Sequence, residues 1–448
     1  MAETEREEVR QELTIERVVP GGAGLARVGG LVALVSGAFP GDLVLAKLSR
    51  GGSRLLIGRA AEILSPGPHR RAEEDVCPRA ADGRCGGCDW AAVRPGSAPG
   101  LKTSLLLDAL RRVGRIPADE IPPVAYVPSP FGYRLRNRLH LDRSGRLGFF
   151  APRSNRVEAD LDVCEVVSDA LRARLDPARE LLRAVGPAEG EISTLEDREG
   201  KAVLAELRLG PVYRPPAFRA GRGPFDGLRV VDSDGRLLFE DGASALDLEA
   251  GGTTFRVSVS SFFQGNRFLL DPFLEEIRAS LRAGIPAGEG ETRAFRALDL
   301  YAGVGFLTFP LLETARQCGG DVIAVEMDPS SSSDLSTNLR RWDGGGPSRS
   351  RSVRSSAEAF LSSKGAATGP GFEVVVADPP RAGLSPAARD GLVRLAPRSL
   401  VLVSCDPPTF ARDLGALRPF YRLERLTLLD LFPGTHHVEA VALLVRRT

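Results

Sequence analysis

Short apolar runs that stop abruptly at polar or glycine-rich turns dominate the last third of the chain. Ala297 to Leu300 ends at Tyr301-Ala302-Gly303-Val304-Gly305, and Val322 to Val325 ends at Glu326. Val374 to Ala377 ends at Asp378-Pro379-Pro380-Arg381, and Val401-Leu402-Val403 ends at Ser404-Cys405-Asp406-Pro407. Runs of this length bounded by turns predict buried strands of an open α/β sheet. Such sheets hold their ligands beyond the carboxyl ends of their strands, so motifs placed on several strand ends predict one shared site.

The beginning of the chain has another rhythm. Leu13-Thr14-Ile15, Leu31 to Val35 and Asp42 to Ala46 alternate with glycine turns such as Gly21-Gly22-Ala23-Gly24, which predicts a small barrel of short strands over 1–68. Between Pro95 and Pro117 the spacing predicts an amphipathic helix at about 97–114. Tyr133 to Leu141 alternates with period two, placing Arg134, Arg136 and Arg138 on one strand face and Leu135, Asn137 and Leu139 on the other. Three guanidiniums on one pleat repel each other unless anions lie between them. A phosphate backbone is one reading, and a solvated face with carboxylate neighbours is the other. The stretch to Thr254 carries no interpretable motif and reads as scaffold, giving a central α+β domain over 69–254 and a final domain over 255–448. Gly344 to Ser352 and Lys364 to Gly371 read as surface loops.

At 448 residues the chain is long enough for two or three domains. Its 26% charged and 43% apolar residues are a soluble globular balance. No apolar run approaches the roughly 18 residues that a membrane helix needs, so no membrane partner and a cytoplasmic location are expected. A net charge of +1 exerts no general pull on nucleic acid. Any RNA affinity must come from local basic surfaces, for which Arg27, Lys47, Arg50, Arg54 and Arg59 in the first segment are candidates, though each would serve equally as a solvating position.

Six cysteines without a secretory signal point to metal or catalytic use rather than to a disulfide framework. Cys77 is followed by Cys85-Gly86-Gly87-Cys88, with Cys164 alone much later. A C-x2-C pair on a glycine turn aims two sulfurs at one centre, and four thiolates would complete either a zinc site or an iron-sulfur cluster. The lack of a second compact pair favours the cluster. Cys318, outside any motif, reads as structural.

The turn around Gly303 and Gly305 lets the backbone approach a ligand closely, with a helix expected to start near Phe306 and to offer its N–H groups to a carboxylate. Glu326, ending the next strand, is placed to accept from ribose hydroxyls. An NAD enzyme would share both features. Cys405 on the last motif carries a different chemistry, that of a nucleophile.

Taken in order, these motifs resemble the RNA 5-methyluridine methyltransferases, a family that uses S-adenosylmethionine and a cysteine nucleophile. The likeness spans nearly the whole chain, from Cys77 to Glu439. It implies three parts: an N-terminal OB-like barrel of the TRAM type over 1–68, a central α+β iron-sulfur domain, and a C-terminal Rossmann-like methyltransferase domain. The barrel assignment rests on Gly22 to Arg27 and Ala38-Phe39-Pro40-Gly41-Asp42. The subgroup acting on 23S ribosomal RNA carries a [4Fe-4S] cluster, and Cys77, Cys85, Cys88 and Cys164 match its ligand pattern, although the gap from Cys77 to Cys85 is longer than usual. The resemblance implies a donor-binding set of Gln264, Tyr301, Gly303, Gly305, Phe306, Glu326, Ser356 and Asp378, with Phe262 facing RNA. It also implies that the helix near 97–114 packs on the catalytic domain.

C5 of uracil attacks a methyl sulfonium poorly until a thiolate adds to C6 and turns C5 into an enolate-like carbon. A base must then take the C5 proton so that the thiolate can leave. The resemblance assigns these roles to Cys405 and Glu439. Ser404-Cys405-Asp406-Pro407 departs from the family's usual Ser-Cys-Asn-Pro by an acid, which is expected to alter the thiol. His436 and His437 would orient the loop or touch RNA. Two rivals remain: an amino-methyltransferase, which would need an aromatic residue where Arg381 stands, and a non-catalytic iron-sulfur RNA-binding protein. The expected substrate is 23S ribosomal RNA, with transfer RNA as the alternative, and a monomer without an obligate protein partner is expected. A cluster in a different domain from Cys405 suggests a structural role.

Overall fold

The structure is a computed structural model describing residues 8–158, 161–185, 189–210, 221–285, 295–343, 349–363 and 371–447. The first segment forms a six-stranded sheet in the order Val9–Thr14, Leu43–Gly52, Leu55–Ser65, Leu31–Ser36, Gly24–Val28 and Arg17–Val18. Burial alternates along Leu43–Gly52, so Val44, Ala46 and Leu48 join Leu13, Ile15, Ala26 and Val35 in a small core. Asp42 is completely buried, and its carboxylate accepts from the N–H groups of Phe39 and Gly67, both at 2.7 Å, and from Arg70. This carboxylate ties the sheet to the segment that follows, at the cost of desolvation that three donors offset.

A seven-stranded sheet comes next, in the order Val157–Glu158, Leu147–Phe150, Arg136–Leu141, Gly190–Glu196, Val203–Leu209, Gly227–Val231 and Leu237–Gly242. The period-two alternation of Arg136–Leu141 buries Asn137, Leu139 and Leu141. The arginines on the other face do not form an open phosphate track. Arg136 turns into the protein and donates to the carbonyls of Ser261 and Val259, and burial there lowers its pKa to about 10. The Arg134 guanidinium lies 5.1 Å from the Phe149 ring centroid, beside the cysteines described below. Only Arg138 is well exposed, and it pairs with Glu191 at 3.1 Å. Long side chains reach backbone carbonyls more than a hundred residues away, which a face assignment from sequence does not foresee.

The last sheet has eight strands in the order Arg349–Arg354, Asp321–Glu326, Arg296–Leu300, Val374–Ala377, Ser399–Ser404, Glu439–Arg446, Tyr421–Leu429 and Val124–Val127. All run parallel except Glu439–Arg446, which is antiparallel to both neighbours. Apolar clusters cover both faces, one around Phe255, Phe273 and Phe306 and one around Leu298, Val375 and Phe410, as expected for a doubly wound sheet. Of the loop expected over Gly344 to Ser352, residues 344–348 lie outside the described residues and 349–352 belong to the strand Arg349–Arg354, which forms a sheet edge whose arginines and serines suit an edge that must not pair further. The other expected loop falls, up to residue 370, outside the described residues.

Two elements of the central segment join the catalytic domain, the helix among them as the resemblance implies. Val124–Val127 leaves the central segment to pair with Leu426 to Leu429, and the helix Ala98–Arg112 packs on the helix Pro407–Leu417. The expected cut at 254 falls inside Thr253–Ser258, half of a hairpin held against the helix Pro329–Trp342 by Asn338 and Asp334. Among the described residues, no helix is long and apolar enough to cross a membrane.

Candidate active site

Strand order reverses direction at Arg296–Leu300, whose neighbours are Asp321–Glu326 and Val374–Ala377. That reversal opens a crevice at the strand ends, where Tyr301 and Asp378 lie side by side because Leu300 pairs with Ala377. A pocket sits there, lined by Phe262, Gln264, Tyr301, Gly303, Phe306 and Asp378 among others. Tyr301 takes a left-handed backbone (φ 63°), which a tyrosine adopts only when its surroundings impose it. Gly303 is left-handed as well, and a Cβ there would meet nothing nearer than Phe262 at 4.0 Å, so the backbone is open to a ligand. At Gly305 (φ 98°) a Cβ would come within 2.9 Å of Leu335, making that glycine a packing requirement. The helix begins at Thr308, two residues beyond Phe306, whose ring is largely packed among Phe255, Phe263 and Phe273.

Gln264 donates to Asp378 at 3.5 Å. Glu326 accepts from the N–H groups of Gly303 at 2.8 Å and Asp328 at 2.6 Å, which fixes its carboxylate at the crevice while leaving lone pairs free. Ser356 caps the helix Ala357–Ser362 by accepting from the Ala359 N–H at 3.2 Å and is not among the pocket's lining residues. Phe262, at 63% exposure, stands at the rim. Sequence reasoning missed Asp299, which is fully buried beneath the pocket and accepts from the Thr308 hydroxyl. Burial, with help from Asp378 and Glu326, pushes its carboxyl up to about 8. Several carboxyl groups around one pocket make it a favourable place for a cation.

The thiol and the carboxylate expected to work together meet by strand register. Ser404 pairs with Ala440, so Cys405 and Glu439 follow as opposed positions at the same end of the sheet. Asp378 is one strand over, since Ala377 pairs with Leu402. Burial raises the Cys405 thiol to about 11, with Glu439 and Asp378 adding and Arg381 opposing. Glu439, only 6% exposed, is pushed well above the usual carboxylate range by burial and by Asp378, and Arg381 draws it back. Arg381 was noticed in the sequence only as the residue in the place of an aromatic. Its cationic side chain acts on Cys405, Glu439 and also His437, whose pKa burial and neighbouring cations lower to about 4. The signal that could have found it is its place in Asp378-Pro379-Pro380-Arg381, one short turn from a strand end. Asp406 accepts from the Thr409 N–H at 3.0 Å as the N-cap of Pro407–Leu417.

The turn Phe432 to His437, which leads into Glu439, is held from outside the catalytic sheet. Lys102 is fully buried and reaches Asp430 at 2.6 Å and the carbonyls of Phe432 and His437 at 3.1 and 2.8 Å. On the other side, the Trp90 N–H donates to the Gly434 carbonyl at 3.0 Å, and Asp89 accepts from the His436 N–H at 3.1 Å.

Those last contacts come from the residues directly after the C-x2-C pair. Cys85 accepts from the Gly87 N–H at 3.4 Å. Burial pushes the Cys88 thiol up to about 12, and Cys164, Cys85 and Cys77 each push it further up while Arg134 opposes them. The four cysteines thus lie within electrostatic reach of one another, an all-sulfur donor set beside one guanidinium, which fits an iron-sulfur cluster in chemistry. Among the described residues, no group of three or more His, Cys, Asp or Glu side chains stands in ion-binding geometry. Cys318 ends the helix Thr308–Cys318 and is exposed, not buried in a core.

The family model for tRNA (Uracil-5-)-methyltransferase matches residues 368–447, the segment carrying Asp378, Cys405 and Glu439. An uncharacterized RNA methyltransferase of Streptomyces avermitilis is 31% identical over 97% of this chain and 97% of its own length. One of Aquifex aeolicus is 29% identical over 97% of this chain and 98% of its own. Among solved structures, the tRNA (uracil-54, C5)-methyltransferase of Pyrococcus abyssi, in complex with S-adenosyl-L-homocysteine, superposes with a TM-score of 0.71 at 21% identity, covering 97% of this chain and 100% of that one. That likeness bears on the fold, and it extends over the whole arrangement of sheets. With the full-length relatives and the strand-end site in agreement, the chain belongs to the RNA (uracil-5-)-methyltransferase family.

Proposed function

We propose that the protein transfers a methyl group from S-adenosylmethionine to C5 of a uridine in RNA, with Cys405 adding to C6 and Glu439 removing the C5 proton. The observation that carries this reading is the opposed placement of Cys405 and Glu439 at the strand ends, one strand from Asp378 and the glycine-turn pocket.

S-adenosylmethionine, held by Gln264, Tyr301, Gly303, Gly305, Phe306, Glu326 and Asp378, would supply an electrophilic methyl group. The chain's own residues do the rest. Cys405, as its thiolate, forms a bond to C6, and the C5=C6 π electrons move to place electron density on C5. After C5 has gained the methyl group, Glu439 takes the remaining C5 proton, the C5=C6 double bond reforms, and the C6–sulfur bond breaks. Burial and Asp378 push the Glu439 carboxyl well above the usual carboxylate range while Arg381 draws it back, so it binds a proton more readily than an exposed carboxylate, as a general base must. Because Cys405 lies within the crevice, the target base must leave its stack, so the substrate is a structured RNA from which a uridine is flipped.

The substrate we favour is 23S ribosomal RNA, with transfer RNA as the alternative. The four-cysteine set and the N-terminal sheet, which resembles a TRAM barrel, support that order. Cys77, Cys85, Cys88 and Cys164 are assigned to a [4Fe-4S] cluster. The test is to incubate the protein with methyl-labelled S-adenosylmethionine and undermodified total RNA, separate the RNA classes, and identify the labelled nucleoside. Label in 5-methyluridine of the ribosomal fraction is expected. Label in transfer RNA would move the substrate, and label on an exocyclic amine would overturn the mechanism.

A further inference from the structure

We infer that Lys102 is a positioning residue for the C5-deprotonation step, setting the loop that carries Glu439 although it lies on a helix more than three hundred residues away. This rests on the reading of Glu439 as the base.

An ammonium has three hydrogens, and at Lys102 each finds an acceptor: Asp430 Oδ1 at 2.6 Å, the Phe432 carbonyl at 3.1 Å and the His437 carbonyl at 2.8 Å. Those two carbonyls open and close the turn Phe432 to His437, so one side chain bridges both of its ends. Two residues after His437 comes Glu439, the first residue of its strand. Asp430 is itself pinned, since its second oxygen accepts from the Tyr126 hydroxyl at 2.6 Å and its N–H donates to the Val127 carbonyl at 2.9 Å. Lys102 is fully buried, and a buried ion pair is often no more stabilising than well-packed apolar residues of similar volume. What three fixed donors do supply is geometry, and a misplacement of about 1 Å at a reacting group costs on the order of a hundredfold in rate.

The step at issue is the last one. Glu439 takes the proton from C5, the C5–H electron pair reforms C5=C6, and the Cys405–C6 bond breaks to release thiolate and product. Slowing it alone leaves the earlier bonds in place, so methylated RNA stays attached to the protein. A merely structural lysine would, on removal, weaken donor binding and adduct formation together.

The experiment compares Lys102→Met, Tyr126→Phe and Glu439→Gln in the full chain, loaded as purified, by three readouts: turnover, affinity for S-adenosylmethionine, and denaturant-resistant protein–RNA adduct carrying labelled methyl. Lys102→Met is expected to lose thirtyfold to a hundredfold in turnover, to keep donor affinity within about twofold, and to accumulate labelled adduct as Glu439→Gln does. Tyr126→Phe, which keeps the ammonium and loosens only Asp430, gives the same pattern at threefold to tenfold, and decides the matter should Lys102→Met fail to fold. Adduct in Glu439→Gln but none in the folded variants, or unchanged turnover in them, removes Lys102 from this role. No adduct in Glu439→Gln itself would instead count against Glu439 as the base.

Discussion

Cys405 and Glu439 leave two antiparallel strands at the same level, one at the end of Ser399–Ser404 and the other at the start of Glu439–Arg446. Because the second strand runs against the rest of the sheet, its first residue reaches the end where parallel strands finish. A carboxylate thus comes to lie beside a thiol.

Replacing Glu439 with glutamine removes a negative charge that raises the Cys405 thiol. The thiol pKa then falls from about 11, though burial keeps it above the free-cysteine value. Alkylation by iodoacetamide as a function of pH should move to lower pH in Glu439→Gln. Turnover should drop by about 10² to 10⁴ from loss of the base. An unmoved alkylation profile would mean that the two groups do not interact.

Arg381→Ala acts in the opposite sense. The guanidinium favours both the Cys405 thiolate and the Glu439 carboxylate, so its removal raises both pKa values. The acid limb of kcat against pH, set by ionisation of the base, should shift to higher pH, and alkylation at fixed pH should slow. A shift toward lower pH would show that Arg381 acts on some other group.

Asp406 offers a control at the neighbouring residue. As an N-cap it accepts one backbone hydrogen bond, which asparagine does equally well. Asp406→Asn should leave the alkylation profile and the unfolding midpoint in place, while Asp406→Ala costs about 1 kcal/mol in denaturant unfolding. A clear change in thiol reactivity in Asp406→Asn would show that the carboxylate charge also acts on Cys405.

For the cysteines, protein purified without oxygen should be brown, with about four irons per chain, the content of one [4Fe-4S] cluster. Cys85→Ser with Cys88→Ser should abolish the colour. Colourless protein with stoichiometric zinc would replace the cluster with a zinc site.

The catalytic sheet was legible because its strands are buried on both faces and so read as unbroken apolar runs, each stopping where its side chains meet the site. Cys405 and Asp378 stand at those stops, and the structure brings Glu439 opposite Cys405 and Gln264 to Asp378, two residues that came from the resemblance and not from the pattern of runs. Other features were hidden for identifiable reasons. Arg349–Arg354 has the composition of a loop because an edge strand needs no apolar face. Lys102 lies in the helix expected from spacing, yet it is buried, since its partners are Asp430 and two backbone carbonyls more than three hundred residues away, which leave no local trace in the sequence. Arg136 satisfies the strand alternation and then turns inward, because alternation fixes where a side chain starts and not where a long one ends.

Among the described residues, Val124–Val127 has its only sheet partner in Leu426 to Leu429, about three hundred residues further along the chain. During synthesis that strand emerges early and waits, its hydrogen-bonding edge bare, until nearly the whole protein has been made. The order of translation and the order of assembly are therefore opposed at this point: the catalytic sheet can be completed only by reaching back to a segment produced long before it. A nascent chain stalled short of Leu429 would hold a finished N-terminal sheet together with an open strand able to pair with the wrong neighbour.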